Sequence, residues 1–312
     1  MVSKGVGPWL CIILVGLLSL LTTEGYDVGL TFLDSAVAKG AEFVSEKFSQ
    51  GFVFRINYQG GGWCNNVTNC LARRDTRLGS SKQMLKLETF SGMFHNKPKY
   101  NPAVDPAMLA GCSAGGLTSI LQCDNFRSLL PPTTKVKCLS DAGFFINAKT
   151  VIGTSHIEGF YADVVKTHGS AKVLSPACVA KLGPGLCFFP QNMVQYIKTP
   201  IFLINAAYDS WQVKNILAPG VADRKGTWRE CKLDITKCSS AQLNILQGMF
   251  INSCYSHCQT GIQETWLRND SPLLGNTTIA KAVGDWYYER NAFQKIDCPY
   301  PCDKTCHNRV FD

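Results

Sequence analysis

Histidine is scarce in this chain: five residues among 312 (His95, His156, His168, His257 and His307), with no cluster of the kind that builds an imidazole metal centre. Charge is also sparse. Charged residues make up 17% and hydrophobic residues 46%, so the chain lacks the polar excess that keeps a polypeptide unfolded. It has no internal repeat and no low-complexity tract. The formal net charge is +8, but there is no long basic run and no nucleic-acid-binding motif. A diffuse positive charge of this size suits a polyanionic partner without requiring one. Past the N-terminus, no segment is long and apolar enough to span a bilayer.

What is present first is a leader. Lys4 precedes an apolar stretch over residues 9–21, and small residues follow at Thr23 and Gly25. That is the pattern of a signal peptide over residues 1–25, too short for a stable membrane anchor. Residues 26–312 are expected to form a single domain, large enough to bury its own core. Of the 15 cysteines, 14 lie beyond the leader, an even number that predicts a disulfide-rich exported protein. The spacings Cys254/Cys258 and Cys298/Cys302/Cys306-His307 superficially resemble ligand sets. In an exported chain they are expected to be half-cystines, with no metal bound. Asn66-Val67-Thr68 and Asn276-Thr277-Thr278 are glycosylation sequons, and Asn269-Asp270-Ser271 is a third, weakened by Pro272.

Residues 52–58 alternate apolar and polar, which predicts a strand running into Gly60-Gly61-Gly62-Trp63. Residues 80–90 are expected to be helical. A short apolar strand over 107–110 leads into Gly111-Cys112-Ser113-Ala114-Gly115, and an amphipathic helix follows, ending before Pro131-Pro132. Residues 136–139 predict a strand ending near Asp141. Residues 201–204 predict another, with Asp209 just beyond it. Residues 241–246 read as a helix, and 249–251 as a strand leading to His257. Strands alternating with helices imply an α/β domain with a largely parallel sheet flanked by helices.

The segment from Gly111 to Gly115 fits the nucleophile-elbow pattern, in which a sharp strand-to-helix turn pushes a serine hydroxyl outward and side chains at the flanking positions would clash. A serine hydroxyl needs a base, and the base needs an orienting carboxylate. In chain order these run Ser, acid, His. His95 precedes the serine. His156 and His168 follow it too closely for an acid-bearing strand to intervene, and His307 lies in a cysteine-rich tail. His257 is therefore the expected base. Asp209 is the expected acid because its strand precedes the histidine; Asp141 is the rival, and could instead hold a loop. The oxyanion donors are expected from Gly62, Trp63 and Ala114.

These segments resemble plant pectin acetylesterases: Gly60-Gly61-Gly62-Trp63-Cys64, Gly111-Cys112-Ser113-Ala114-Gly115-Gly116, Cys138-Leu139-Ser140-Asp141-Ala142-Gly143, Cys187-Phe188-Phe189-Pro190, Asn205-Ala206-Ala207-Tyr208-Asp209 and Cys254-Tyr255-Ser256-His257-Cys258. The animal deacylase Notum is more distantly similar. The resemblance implies an α/β-hydrolase-like fold and a secreted, extracellular enzyme of the cell wall that removes acetyl groups from pectin. It places the triad on Ser113, Asp209 and His257. No cofactor, no nucleic acid and no stable membrane insertion are expected, and the chain is expected to act as a monomer. The resemblance also implies that the chain is shortened. Residues that the family carries between Pro102 and Ala107, including a strand and a helix, are absent, as is a stretch near Gln247-Gly248. A missing central strand would leave backbone groups unpaired. The competing expectation is a truncated wall-binding isoform without activity; a third is a Notum-like lipid deacylase.

Overall fold

The run Ala107-Met108-Leu109-Ala110 offers water no polar face, so it must lie inside a sheet covered on both sides. The computed structural model describes residues 26–29, 55–58, 60–83, 86–95, 97–101, 107–240, 242, 252–306 and 308. In chain order the principal elements are β1 (Tyr26–Gly29), β2 (Arg55–Tyr58), α1 (Val67–Arg73), β3 (Leu87–Phe90), β4 (Met108–Cys112), α2 (Ala114–Ser128), β5 (Lys137–Asp141), α3 (His156–His168), α4 (Pro176–Leu182), β6 (Ile201–Ile204), β7 (Leu273–Leu274), β8 (Thr277–Thr278) and α5 (Ile279–Tyr287). The central sheet has the order β2-β4-β5-β6, and every pairing in it is parallel.

Alternation along the strands sends side chains to two cores. Leu109 and Cys138 point to the face covered by α2, where they pack with Phe126 and Val136. Met108, Ala110, Leu139 and Ile204 point to the other face and pack with Trp266, Val283 and Tyr287. The α/β-hydrolase-like class read from the sequence is the fold observed. Helix α3 buries Ile157, Tyr161, Val164 and Val165, one stripe at helical spacing. It packs them against Leu117, Phe145, Phe188 and Phe189.

Seven disulfides employ all 14 cysteines beyond Cys11: Cys64–Cys70, Cys112–Cys258, Cys123–Cys138, Cys178–Cys187, Cys231–Cys238, Cys254–Cys306 and Cys298–Cys302. The cysteines with ligand-like spacing are thus half-cystines.

One expectation changes. Residues 87–90, read as the end of a helix, form β3, which pairs antiparallel with β1. The run Leu87-Glu88-Thr89-Phe90 is too short for its period to separate helix from strand, and pairing with β1 decides it. β2 pairs directly with β4, with Ile56 opposite Leu109 and Tyr58 opposite Gly111. The shortened link therefore opens no gap between these strands. Residues 52–54, 249–251 and all of 241–246 except Gln242 lie outside the described residues; Asn252, just after them, forms a single parallel bridge to Ala206.

The elbow depends on close backbone approach. A Cβ on Gly111 would lie 2.2 Å from the Gly115 carbonyl oxygen, and one on Gly116 would lie 2.5 Å from the Asp141 carbonyl oxygen. Gly116→Ala is expected to destabilise the protein by about 2 kcal/mol through overpacking. The check is a lowered denaturant midpoint with an unchanged slope.

Candidate active site

Strand β4 ends at Cys112 and α2 begins at Ala114, so Ser113 alone makes the turn. Its backbone stands at φ 58° and ψ −125°, a conformation that non-glycine residues seldom adopt. The surroundings hold it there: its N–H donates to the Asp141 carbonyl at 2.9 Å, and its own carbonyl accepts from Leu117 N–H at 3.0 Å, starting the helix. The hydroxyl of Ser113 is 2.7 Å from His257 Nε2. His257 Nδ1 is 2.9 and 2.8 Å from the two carboxylate oxygens of Asp209. An ionised carboxylate can only accept, so Nδ1 carries the proton and Nε2 is left to accept from the serine. Three residues separated by 144 and 48 positions in the chain thus form one line of hydrogen bonds.

Each partner is anchored. The Asp209 side chain is fully buried and caps the short helix Ser210–Gln212 by accepting from Gln212 N–H at 3.0 Å. Ser210 N–H donates to the carbonyl of Ser256, the residue before His257, at 3.1 Å. The residue after His257, Cys258, is bonded to Cys112, the residue before Ser113. Burial is the largest single influence on His257 and pulls its pKa down. The charge and hydrogen bond of Asp209, with a contribution from Asp141, outweigh it, and the net shift is upward from 6.5.

The glycine loop lies against the serine. A Cβ on Gly60 would come within 2.8 Å of Ser113 Cβ and 3.4 Å of its Oγ. Gly61 and Gly62 take φ values of 141° and 66°, which favour glycine, and a Cβ on Gly62 would meet nothing within 4 Å. Arg73 donates to the Gly61 carbonyl at 2.6 Å, and Cys64–Cys70 ties the end of the loop to α1. Trp63 packs edge-on to Phe145 and Tyr161, both with ring centroids at 5.2 Å, and to Trp211 at 6.0 Å. Trp211 in turn stacks on the His257 ring at 6.2 Å. Ala114 is the first residue of α2, where a backbone N–H has no partner within the helix.

The structure therefore brings together Ser113, Asp209 and His257, with Ala114 next to the serine; the loop residue against Ser113 is Gly60, and Trp63 reaches the His257 ring through Trp211. Asp141 makes no hydrogen bond to the imidazole of His257. Its carboxylate accepts from the backbone of Gln259 and Thr260. His95 packs against Tyr100 with the rings tilted by 45°, and His156 and His168 lie at the two ends of α3. His307 is outside the described residues. Sequence reading did not find Arg73, Trp211 or the Cys112–Cys258 link. The adjacency of Cys112 to Ser113 and of Cys258 to His257 was the available signal for the last.

The raised pKa makes a signed prediction. The imidazolium contributes stability in full below about 6.5, and that contribution is lost as pH rises through the higher folded value. In an NMR titration His257 should titrate above 6.5. Asp209→Asn removes the opposing charge, and the titration should then fall below the wild-type value.

A sequence model of the Pectinacetylesterase family matches residues 21–106, 103–249 and 246–307. The three stretches overlap at 103–106 and 246–249, close to the two places where the resemblance implies missing residues. The chain is 41% identical to pectin acetylesterase 7 and 40% identical to pectin acetylesterase 11 of Arabidopsis thaliana over 361 positions. Each alignment covers 89% of this chain and 92% of the relative. Since 89% of 312 residues is about 278, roughly 80 of those positions face no residue of this chain. Among solved structures, the Wnt deacylase Notum from Drosophila matches with a TM-score of 0.64 at 16% identity, over 84% of this chain and 93% of its own, a likeness of fold. The chain belongs to the pectin acetylesterase family of carboxylic-ester hydrolases.

Proposed function

We propose that this chain is a secreted serine esterase that removes acetyl groups from cell-wall pectin. The observation that carries the reading is the unbroken line from Ser113 Oγ through His257 to Asp209, with 2.7 Å between the hydroxyl and Nε2. Ser113 Oγ attacks the acetyl carbonyl while His257 takes its proton. The N–H groups of Gly62, Trp63 and Ala114 receive the developing oxyanion. Collapse breaks the bond to the sugar oxygen, which leaves with the proton from His257, and acetyl-Ser113 remains. Water, deprotonated by His257, attacks the acyl-enzyme and releases acetate, and the proton returns to Ser113.

Substrate size follows from the same neighbourhood. Phe145 and Trp211 flank the His257 ring, and Trp63, Tyr161 and Phe188 pack edge-to-face behind them, a crowding that suits a two-carbon acyl group better than a long chain. A cavity of about 300 Å³ along β6 is walled by Phe202, Leu274 and Trp286, and none of the three triad residues lines it. A net charge of +8 favours approach of polygalacturonate. Export is supported by the apolar leader and the seven disulfides. Among the described residues no helix is long and apolar enough to cross a membrane.

A second reading, an inactive wall-binding isoform, is favoured by one observation: the breaks in the family match at 103–106 and 246–249. Turnover separates the two. A fluorophosphonate probe should label Ser113, and Ser113→Ala should abolish labelling and lower acetate release by roughly 10⁴-fold or more. Labelling that survives this change, or a cooperatively folded protein without turnover, would reject the esterase. The rate on aryl acetate should greatly exceed that on the octanoate ester. The pH profile of kcat/KM should rise through the His257 pKa, because only the neutral imidazole accepts a proton.

A further inference from the structure

Asp141 stands at the C-terminal end of β5, opposite Cys112 in the register of β4 and β5. It is fully buried. Its backbone and side chain work in two directions. The carbonyl accepts from Ser113 N–H at 2.9 Å, at the strained residue of the elbow. One carboxylate oxygen accepts from Gln259 N–H at 2.7 Å, from Thr260 N–H at 2.8 Å and from the Thr260 hydroxyl at 2.8 Å. Gln259 and Thr260 follow His257 by two and three residues. A carboxylate oxygen of Asp141 also lies within 4.8 Å of both sulfurs of Cys112–Cys258, the other link between elbow and base loop.

We propose that Asp141 is a positioning residue for the reaction, tying the nucleophile turn and the base loop to one strand end and so setting the distance from Ser113 to His257. The inference rests on the esterase reading of those two residues. A neutral side chain could make a loop contact more cheaply, since a buried carboxylate loses its hydration. Burial is the largest influence on Asp141 and pushes its pKa up to about 6, against the three donors and the facing His257. Its second oxygen has no hydrogen-bond partner among the described residues. The charge is therefore held at a cost to stability, as is common where geometry matters more than stability.

The test uses the full secreted chain with Asp141→Asn, Thr260→Val and Thr260→Ser. Against aryl acetate, Asp141→Asn should lower kcat by roughly 10- to 100-fold, with KM changed by about twofold at most, since misplacement of the base affects the chemical step. Thr260→Val should lower kcat less, and Thr260→Ser should restore it because the hydroxyl donor returns. The low-field resonance of the His257 Nδ1 proton should be sharp in the wild type and broadened in Asp141→Asn. Wild-type kcat and an unchanged resonance in Asp141→Asn would overturn the proposal, leaving the disulfide as the sole tie. If Asp141→Asn does not fold, equal kcat in Thr260→Val and Thr260→Ser overturns it instead. A wild-type protein without esterase activity would sink the functional reading alone, and the His257 resonance would still decide the role of Asp141.

Discussion

The parallel pairing of β4 with β5 is the constraint on which the rest of the site depends. It sets Cys112 beside Asp141, so the turn at Ser113 opens next to a strand end whose carbonyl can hold the Ser113 N–H. A residue at φ 58° persists only where its surroundings over-determine it. Here the hydrogen bond to Asp141, the helix start at Leu117 and the bare backbones of Gly111 and Gly116 do so together. Loosening that pairing would release the turn, and the hydroxyl would no longer face the imidazole.

Two buried carboxylates lie near one histidine, and their environments separate their tasks. Asp209 faces the imidazole Nδ1 and keeps the proton on that nitrogen. Asp141 turns toward backbone donors and holds the loop that carries the ring. Both form contacts that are short in space and long in sequence, across 48 positions for Asp209 and 118 and 119 for Asp141, and the Cys112–Cys258 link has a sequence separation of 146. A cross-link over so long a loop removes much of the conformational freedom of the unfolded chain. It also joins the immediate neighbours of the serine and the histidine.

The two strands that carry the loop and the elbow are adjacent in the sheet. The glycine loop follows β2, the serine follows β4, and those strands are hydrogen-bonded neighbours. Trp63 packs edge-on to Trp211, which stacks on the His257 ring.

The sequence by itself determined whatever depends on local chemistry. Gly111, Gly115 and the apolar strand before them marked the elbow. Chain order and the scarcity of histidine selected His257. The strand over residues 201–204 preceded the acid, and an even cysteine count marked disulfides. Only the tertiary structure decided the matters that depend on pairing between distant segments. Residues 87–90 are a strand because β1 lies beside them, not because of their own short pattern. Asp141 and Asp209 are alike in sequence, each a carboxylate just past a buried strand; which one meets the imidazole is settled by the path of the loop through residues 252–260. Which cysteine meets which is equally invisible along the chain, since a half-cystine carries no local mark of its partner.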